Sequence, residues 1–169
     1  MKTKGTGALA KKPRTVIGWE EWCAIPGLGL PAIKAKIDTG AKTSALHAYD
    51  IRTFRKDGES FVRFKVHPLQ RNQRLEVECV APLKDKRAVI SSNGEKETRH
   101  VIEIRLKIGG KKFSTEITLT SRHKMAFRML LGREALRKGG MVVDPARSYV
   151  LGKLKKAGRL YRTDKDLSE

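Results

Sequence analysis

The chain has 169 residues, of which 39% are hydrophobic and 6% aromatic, and it carries 37 Lys and Arg against 18 Asp and Glu for a net charge of +19. That length suits one domain with tails, and the charge selects polyanionic partners: nucleic acid, an acidic membrane surface or an acidic peptide. No apolar run reaches the length of a membrane span, the basic N-terminus lacks the apolar core of a signal peptide, and two cysteines make no disulfide framework. The expectation is a cytoplasmic protein with no membrane segment and with Cys23 and Cys79 as reduced thiols.

Residues 1–14 hold five basic and no acidic residues, and residues 153–169 hold six basic and three acidic. Both stretches read as basic flexible tails around a folded domain at 15–152. The remaining +11 belongs to that domain. In chain order, Val16 to Ala24 reads as a first strand and Pro26-Gly27-Leu28-Gly29 as a turn. Ile33, Ala35 and Ile37 alternate toward Asp38 as in a half-buried strand. Val62, Phe64 and Val66 share one face of the next strand, and Leu75, Val77 and Cys79 follow a polar turn at Gln70–Gln73. Asn93-Gly94 marks a tight turn after Ala88–Ser91. Ile102, Ile104, Leu106 and Ile108 alternate up to Gly109-Gly110, and Phe113, Ile117 and Leu119 resume the pattern, so residues 100–120 read as a hairpin. Met129-Leu130-Leu131-Gly132 reads as a buried strand ending in Gly, followed by one short helix at Arg133–Arg137 that Gly139-Gly140 stops. Many short strands with regular turns predict a mainly β fold, a closed or nearly closed barrel.

Asp38-Thr39-Gly40-Ala41 carries the chemistry. A carboxylate at a strand end, followed by Thr and Gly, is the arrangement of aspartic peptidases. Gly lets the backbone turn tightly and leaves main-chain N–H groups to bond the carboxylate. Thr39 ties down the turn. Thr43 and Ser44 are candidates for substrate contact or for satisfying nearby backbone. Arg133 is a candidate for an ion pair, a substrate contact or a dimer contact. Asp144, after Met141-Val142-Val143 and before Pro145, reads as a structural turn residue because Pro offers no N–H.

Retropepsin-type domains pair a hydrophobic-Asp-Thr-Gly-Ala strand with a later hydrophobic-hydrophobic-Gly-Arg segment, and both are present here in that order. The chain resembles the retropepsin-like superfamily. It is similar in particular to the small bacterial family called ATP-dependent zinc proteases, which includes the RimB-type peptidase linked to the RimK glutamate ligase. Four segments carry this resemblance: Ala35 to Ala48, Ser91-Ser92-Asn93-Gly94, Thr118 to Arg122, and Phe127 to Arg133.

The resemblance implies an acid-protease β-barrel with one short C-terminal helix and Asp38 as the catalytic acid. Residues 91–97, with Asn93 and Gly94, take the place of a flap. One Asp-Thr-Gly per chain requires a second Asp38 from a second copy, hence a homodimer. The implied substrate is an acidic, glutamate-rich protein tail such as a glutamylated ribosomal protein. Two alternatives stand beside it. One is a non-catalytic RNA- or ribosome-binding module using the basic surface and tails. The other is a zinc-dependent peptidase, although no cofactor is expected. His47, His67, His100 and His123 form no His-Glu-x-x-His, no Cys-x-x-Cys exists, and His47 with Cys79 or His67 is a scattered set. Gly40-Ala41-Lys42-Thr43 lacks the first Gly of a phosphate-binding loop.

Overall fold

A computed structural model describes residues 13–90, 93–121 and 126–162. Ser91, Ser92, Arg122, His123 and the outer parts of both expected tails lie outside these. In chain order the strands are β1 (Thr15–Ile17), β2 (Glu20–Ile25), β3 (Leu30–Ile37), β4 (Ser44–His47), β5 (Tyr49–Lys56), β6 (Glu59–Val66), β7 (Val77–Pro82), β8 (Asp85–Ile90), β9 (Lys96–Ile108), β10 (Lys111–Thr120) and β11 (Met129–Leu131). Helix α1 (Arg133–Lys138) and β12 (Met141–Val143) follow. Among the described residues no helix is long and apolar enough to cross a membrane.

Six strands close a barrel in the order β10-β4-β11-β3-β2-β9, with β9 pairing back onto β10. The alternation seen in the sequence dictates the inside. Ile33, Ala35 and Ile37 of β3 point in, as do Ile102, Ile104, Leu106 and Ile108 of β9 and Ile117 and Leu119 of β10, all buried. Each such Leu or Ile contributes about 1.5–3 kcal/mol of transfer free energy. β8 extends the sheet beyond β9, so β8 and the first half of β9 project as a hairpin. Strands β5, β6 and β7 form a separate three-stranded sheet, whose Val62, Phe64 and Val66 join the same core.

Two expectations need correction. The single first strand at Val16–Ala24 is two strands. β1 leaves the barrel to pair in parallel with β12, and β2 starts after Gly18 and Trp19. A Cβ on Gly18 would lie 2.5 Å from the Arg147 carbonyl oxygen, so the returning chain packs directly on the backbone at the break. The second correction concerns residues 153–162, read as part of a flexible tail. A 3-10 helix at Ala157–Tyr161 packs there against β3. Tyr161 donates its hydroxyl to the Ala32 carbonyl and accepts the Ala32 N–H, and Ala157 is buried. Further back, the fully buried Glu21 carboxylate accepts N–H groups from Gly18 (3.2 Å), Val150 (3.1 Å) and Leu151 (2.9 Å), clamping the segment to β2.

Candidate active site

β3 delivers Asp38 to one end of the barrel, and β11 lies parallel beside it with Leu131 opposite Ile37. The Asp38 N–H continues that ladder by donating to the Leu131 carbonyl at 2.9 Å. Its side chain is half-buried, and Oδ1 accepts the Gly40 N–H at 3.0 Å. A Cβ on Gly40 would sit 3.2 Å from that oxygen, so the glycine keeps the approach to the carboxylate open.

The turn is held from behind by the Leu131-Gly132-Arg133 segment. Gly132 donates its N–H to Ser44 Oγ at 3.0 Å, Arg133 its N–H to the Ala41 carbonyl at 2.8 Å, and Glu134 its N–H to the Lys42 carbonyl at 3.1 Å. The Arg133 guanidinium donates to the carbonyls of Thr39 (2.9 Å) and Gly40 (3.0 Å). Arg133 is therefore a clasp on the Asp38 turn, bonding carbonyls rather than the carboxylate of an ion pair. Ser44, 2% exposed, supports the same join and faces no solvent. Thr39 is exposed beside a concave surface formed with Arg133, Leu136 and β12, where Val142 (41%) and Val16 of β1 (44%) stay uncovered.

Asp38 opens into a cleft of ≈ 450 Å³. Its floor includes Ala45, Leu130 and Thr118, and Lys42 and Thr43 stand at one side. The opposite wall is the β8–β9 hairpin, through Arg87, Val89, Ile90 and Arg99. Asn93 and Gly94 form the exposed tip of that hairpin, with Gly94 at φ 82, and do not line the cleft. The segment expected as a flap at 91–97 thus meets the cleft through the flanking strands rather than its tip; Ser91 and Ser92 fall outside the described residues.

Arg87 and Arg99 are cross-strand partners that differ in how they are satisfied. Arg87 forks onto Glu116 (2.7 and 3.2 Å) and bonds Asp85 (2.9 Å). The hydrogen bonds from Arg87 hold the Glu116 carboxyl down to about 2, with Lys84 adding to the effect. Arg99 has a side chain only 12% exposed, one long contact among the described residues (Glu97 at 3.4 Å), and an Nε atom that is buried without a partner. Sequence reasoning missed both arginines. The signal was available: each stands six positions from Asn93, which makes them face each other across the turn.

Two residues named for a zinc site are engaged elsewhere. The Cys79 thiol is pushed up to about 12 by burial and donates to the Leu28 carbonyl, and His67 Nδ1 pairs with the Leu75 carbonyl. Among the described residues no three His, Cys, Asp or Glu side chains converge. Asp144 caps its own turn, accepting the Ala146 N–H at 3.0 Å.

Comparison with known proteins agrees with this architecture. A crystal structure of a Legionella pneumophila protein of unknown function superposes with a TM-score of 0.69 at 27% identity, covering 82% of this chain and 99% of that one. A protein of Desulfotalea psychrophila named "Probable alpha-L-glutamate ligase" is 50% identical over 148 residues, 88% of this chain and 31% of its own length. One of the same name from Shewanella pealeana is 48% identical over 137 residues, 81% of this chain and 30% of its own. The chain thus spans less than a third of the length of these curated relatives. The sequence model of the family described as "RimB-like: Retropepsin-like aspartic endopeptidase RimB" matches residues 16–154, and the chain belongs to that family.

Proposed function

We propose that this protein is an aspartic peptidase that hydrolyses glutamate-rich protein tails, using two Asp38 carboxylates brought together in a homodimer. The observation that carries this reading is the position of Asp38: fixed on a clasped turn, bonded by the Gly40 N–H, and open to a cleft walled by Lys42, Arg87 and Arg99. The exposed valines of the β1–β12 pair, next to Thr39, support docking of a second copy at the side of the turn. Two carboxylates a few ångströms apart do not both ionise cheaply, so the pair holds one proton. The ionised member takes a proton from a bridging water while the protonated one hydrogen-bonds the scissile carbonyl. Water oxygen bonds to the carbonyl carbon as the acid's proton passes to the carbonyl oxygen, giving a tetrahedral diol. Proton return to the amide nitrogen breaks the C–N bond and releases both fragments, with no covalent enzyme adduct.

The walls support an acidic substrate. A concave surface lined by cations concentrates anionic chains and speeds their capture. Arg99, whose Nε has no partner and which lines the cleft, is the group suited to take a side-chain carboxylate near the scissile bond. The relatives are named for glutamate ligation, which supports a substrate that bears glutamate. Incubation with a glutamate-rich peptide and its glutamine counterpart, read by mass spectrometry, tests the proposal. The glutamate peptide is cleaved, more slowly as salt rises, and Asp38→Asn binds it without cutting. Equal cleavage by the Asn variant would sink the assignment.

A further inference from the structure

A second positive surface lies along the C-terminal segment and shares no lining residue with the Asp38 cleft. From Pro145 to Arg162 the chain has six basic residues and no acidic one. The Glu21 clamp and Tyr161 lay this stretch on the barrel, where three adjoining concavities form. The first two share Trp22 and Leu154, and the second and third share Lys156 and Gly158, so they run on as one groove. Lys34, Arg71, Lys153, Lys155, Lys156 and Arg159 line it, with Lys107 and Arg162 at its two ends. Among the described residues no carboxylate does. None of these eight cations has an ion-pair partner among the described residues, whereas Lys65, Lys84, Arg63 and Arg87 elsewhere all do. On β2, Glu20 is engaged by the Tyr149 hydroxyl.

Eight like charges gathered in a concavity repel one another, and no carboxylate of the described residues lines the groove to offset them. Five of the eight are lysines, compact point charges that suit a phosphate backbone, while bidentate carboxylate recognition calls for arginines of the kind that wall the Asp38 cleft. Trp22 lies in the groove with Lys34 Nζ 5.3 Å from its ring centroid, and Leu154 and Leu160 are exposed beside it. A cationic track with an aromatic ring is the pattern for single-stranded nucleic acid. We infer that this groove binds RNA through its phosphate backbone, independently of the peptidase chemistry.

The test uses the full chain, a fluorescein-labelled single-stranded oligoribonucleotide, and anisotropy titrations over a range of salt. Each phosphate contact on a single strand adds about 0.7 to the slope of log affinity against log salt. The triple variant Lys155→Gln, Lys156→Gln, Arg159→Gln loses about two units of slope, which is about a hundredfold in affinity near 0.1 M salt. A control triple of the same charge, Arg52→Gln, Arg55→Gln, Lys56→Gln on β5, changes binding little. Cleavage of the glutamate peptide by the groove variant stays at the wild-type rate, which also establishes that it folds. Equal loss in both triples would show bulk charge only and overturn the inference. Wild-type binding to a glutamate peptide that is displaced by the groove substitutions, with RNA unaffected, would overturn it too.

Discussion

Gly132→Ala tests the join between the Asp38 turn and the β11–α1 segment. Gly132 has φ −89 and ψ 177, an extended conformation open to any residue, so backbone strain plays no part. The cost is contact. A Cβ there would lie 2.8 Å from the Thr43 carbonyl carbon and 3.0 Å from the carbonyl oxygens of Ala41 and Lys42. All three are main-chain atoms, so no side chain can swing aside. Relief requires the two segments to part by about half an ångström, which stretches the bonds made by the Gly132, Arg133 and Glu134 N–H groups toward the limit of useful geometry. Overpacking costs about 1–3 kcal/mol, and weakening those bonds adds about 1 kcal/mol or more. A total of about 3 kcal/mol lowers the melting temperature by roughly 6–12 °C for a domain of this size. Turnover falls with it, since about an ångström of misplacement costs on the order of a hundredfold. Thermal unfolding followed by circular dichroism reads the stability. Gly27→Ala is the control: nothing lies within 4 Å of its Cβ position, and it is neutral or gains about 0.4–1 kcal/mol. A Gly132 variant that melts with the wild type would refute the reasoning.

Glu21→Gln replaces an acceptor of three backbone N–H groups by an amide with one acceptor oxygen; it lowers stability by about 1.5–3 kcal/mol and frees the segment around Val150, read as faster proteolysis there. Arg99→Gln raises KM for the glutamate peptide about tenfold or more while leaving the glutamine peptide unchanged, because only the former loses a charged partner; steady-state kinetics on both peptides decides it. Glu116 has a folded-state pKa lowered from 4.5 to about 2. Its contribution to stability is complete above the ordinary carboxylate range and is lost as pH falls from there toward about 2. Glu116→Gln flattens the acid limb of the stability curve over that window, and an unchanged limb contradicts it.

The barrel was legible where one face of a strand is buried and the other wet, as in Ile33–Ile37 and Ile102–Ile108, because period-two alternation is then written in the residues. The Asp38 turn and the Leu131-Gly132-Arg133 segment were legible as local chemistry, and the structure brings them together. β5 left no such mark: most of its residues are at least half-exposed, and it is held by backbone pairing to β6. The break at Gly18 and the docking of residues 147–162 depend on contacts between chain ends far apart in sequence, such as Glu21 with Leu151. A basic, polar stretch looks like a tail until the carboxylate that captures it is located. Arg87 and Arg99 required counting register outward from a turn, a step that hydropathy does not prompt.

Subunit mixing addresses the paired-Asp38 site most directly. Wild-type protein is equilibrated with increasing excess of Asp38→Asn chains, and cleavage of the glutamate peptide is followed per wild-type chain. A site built from two copies predicts that the rate falls toward zero, as each active chain acquires a partner without the carboxylate. A rate that holds constant at high excess, with exchange verified by a label, would mean that one Asp38 suffices and would contradict the account.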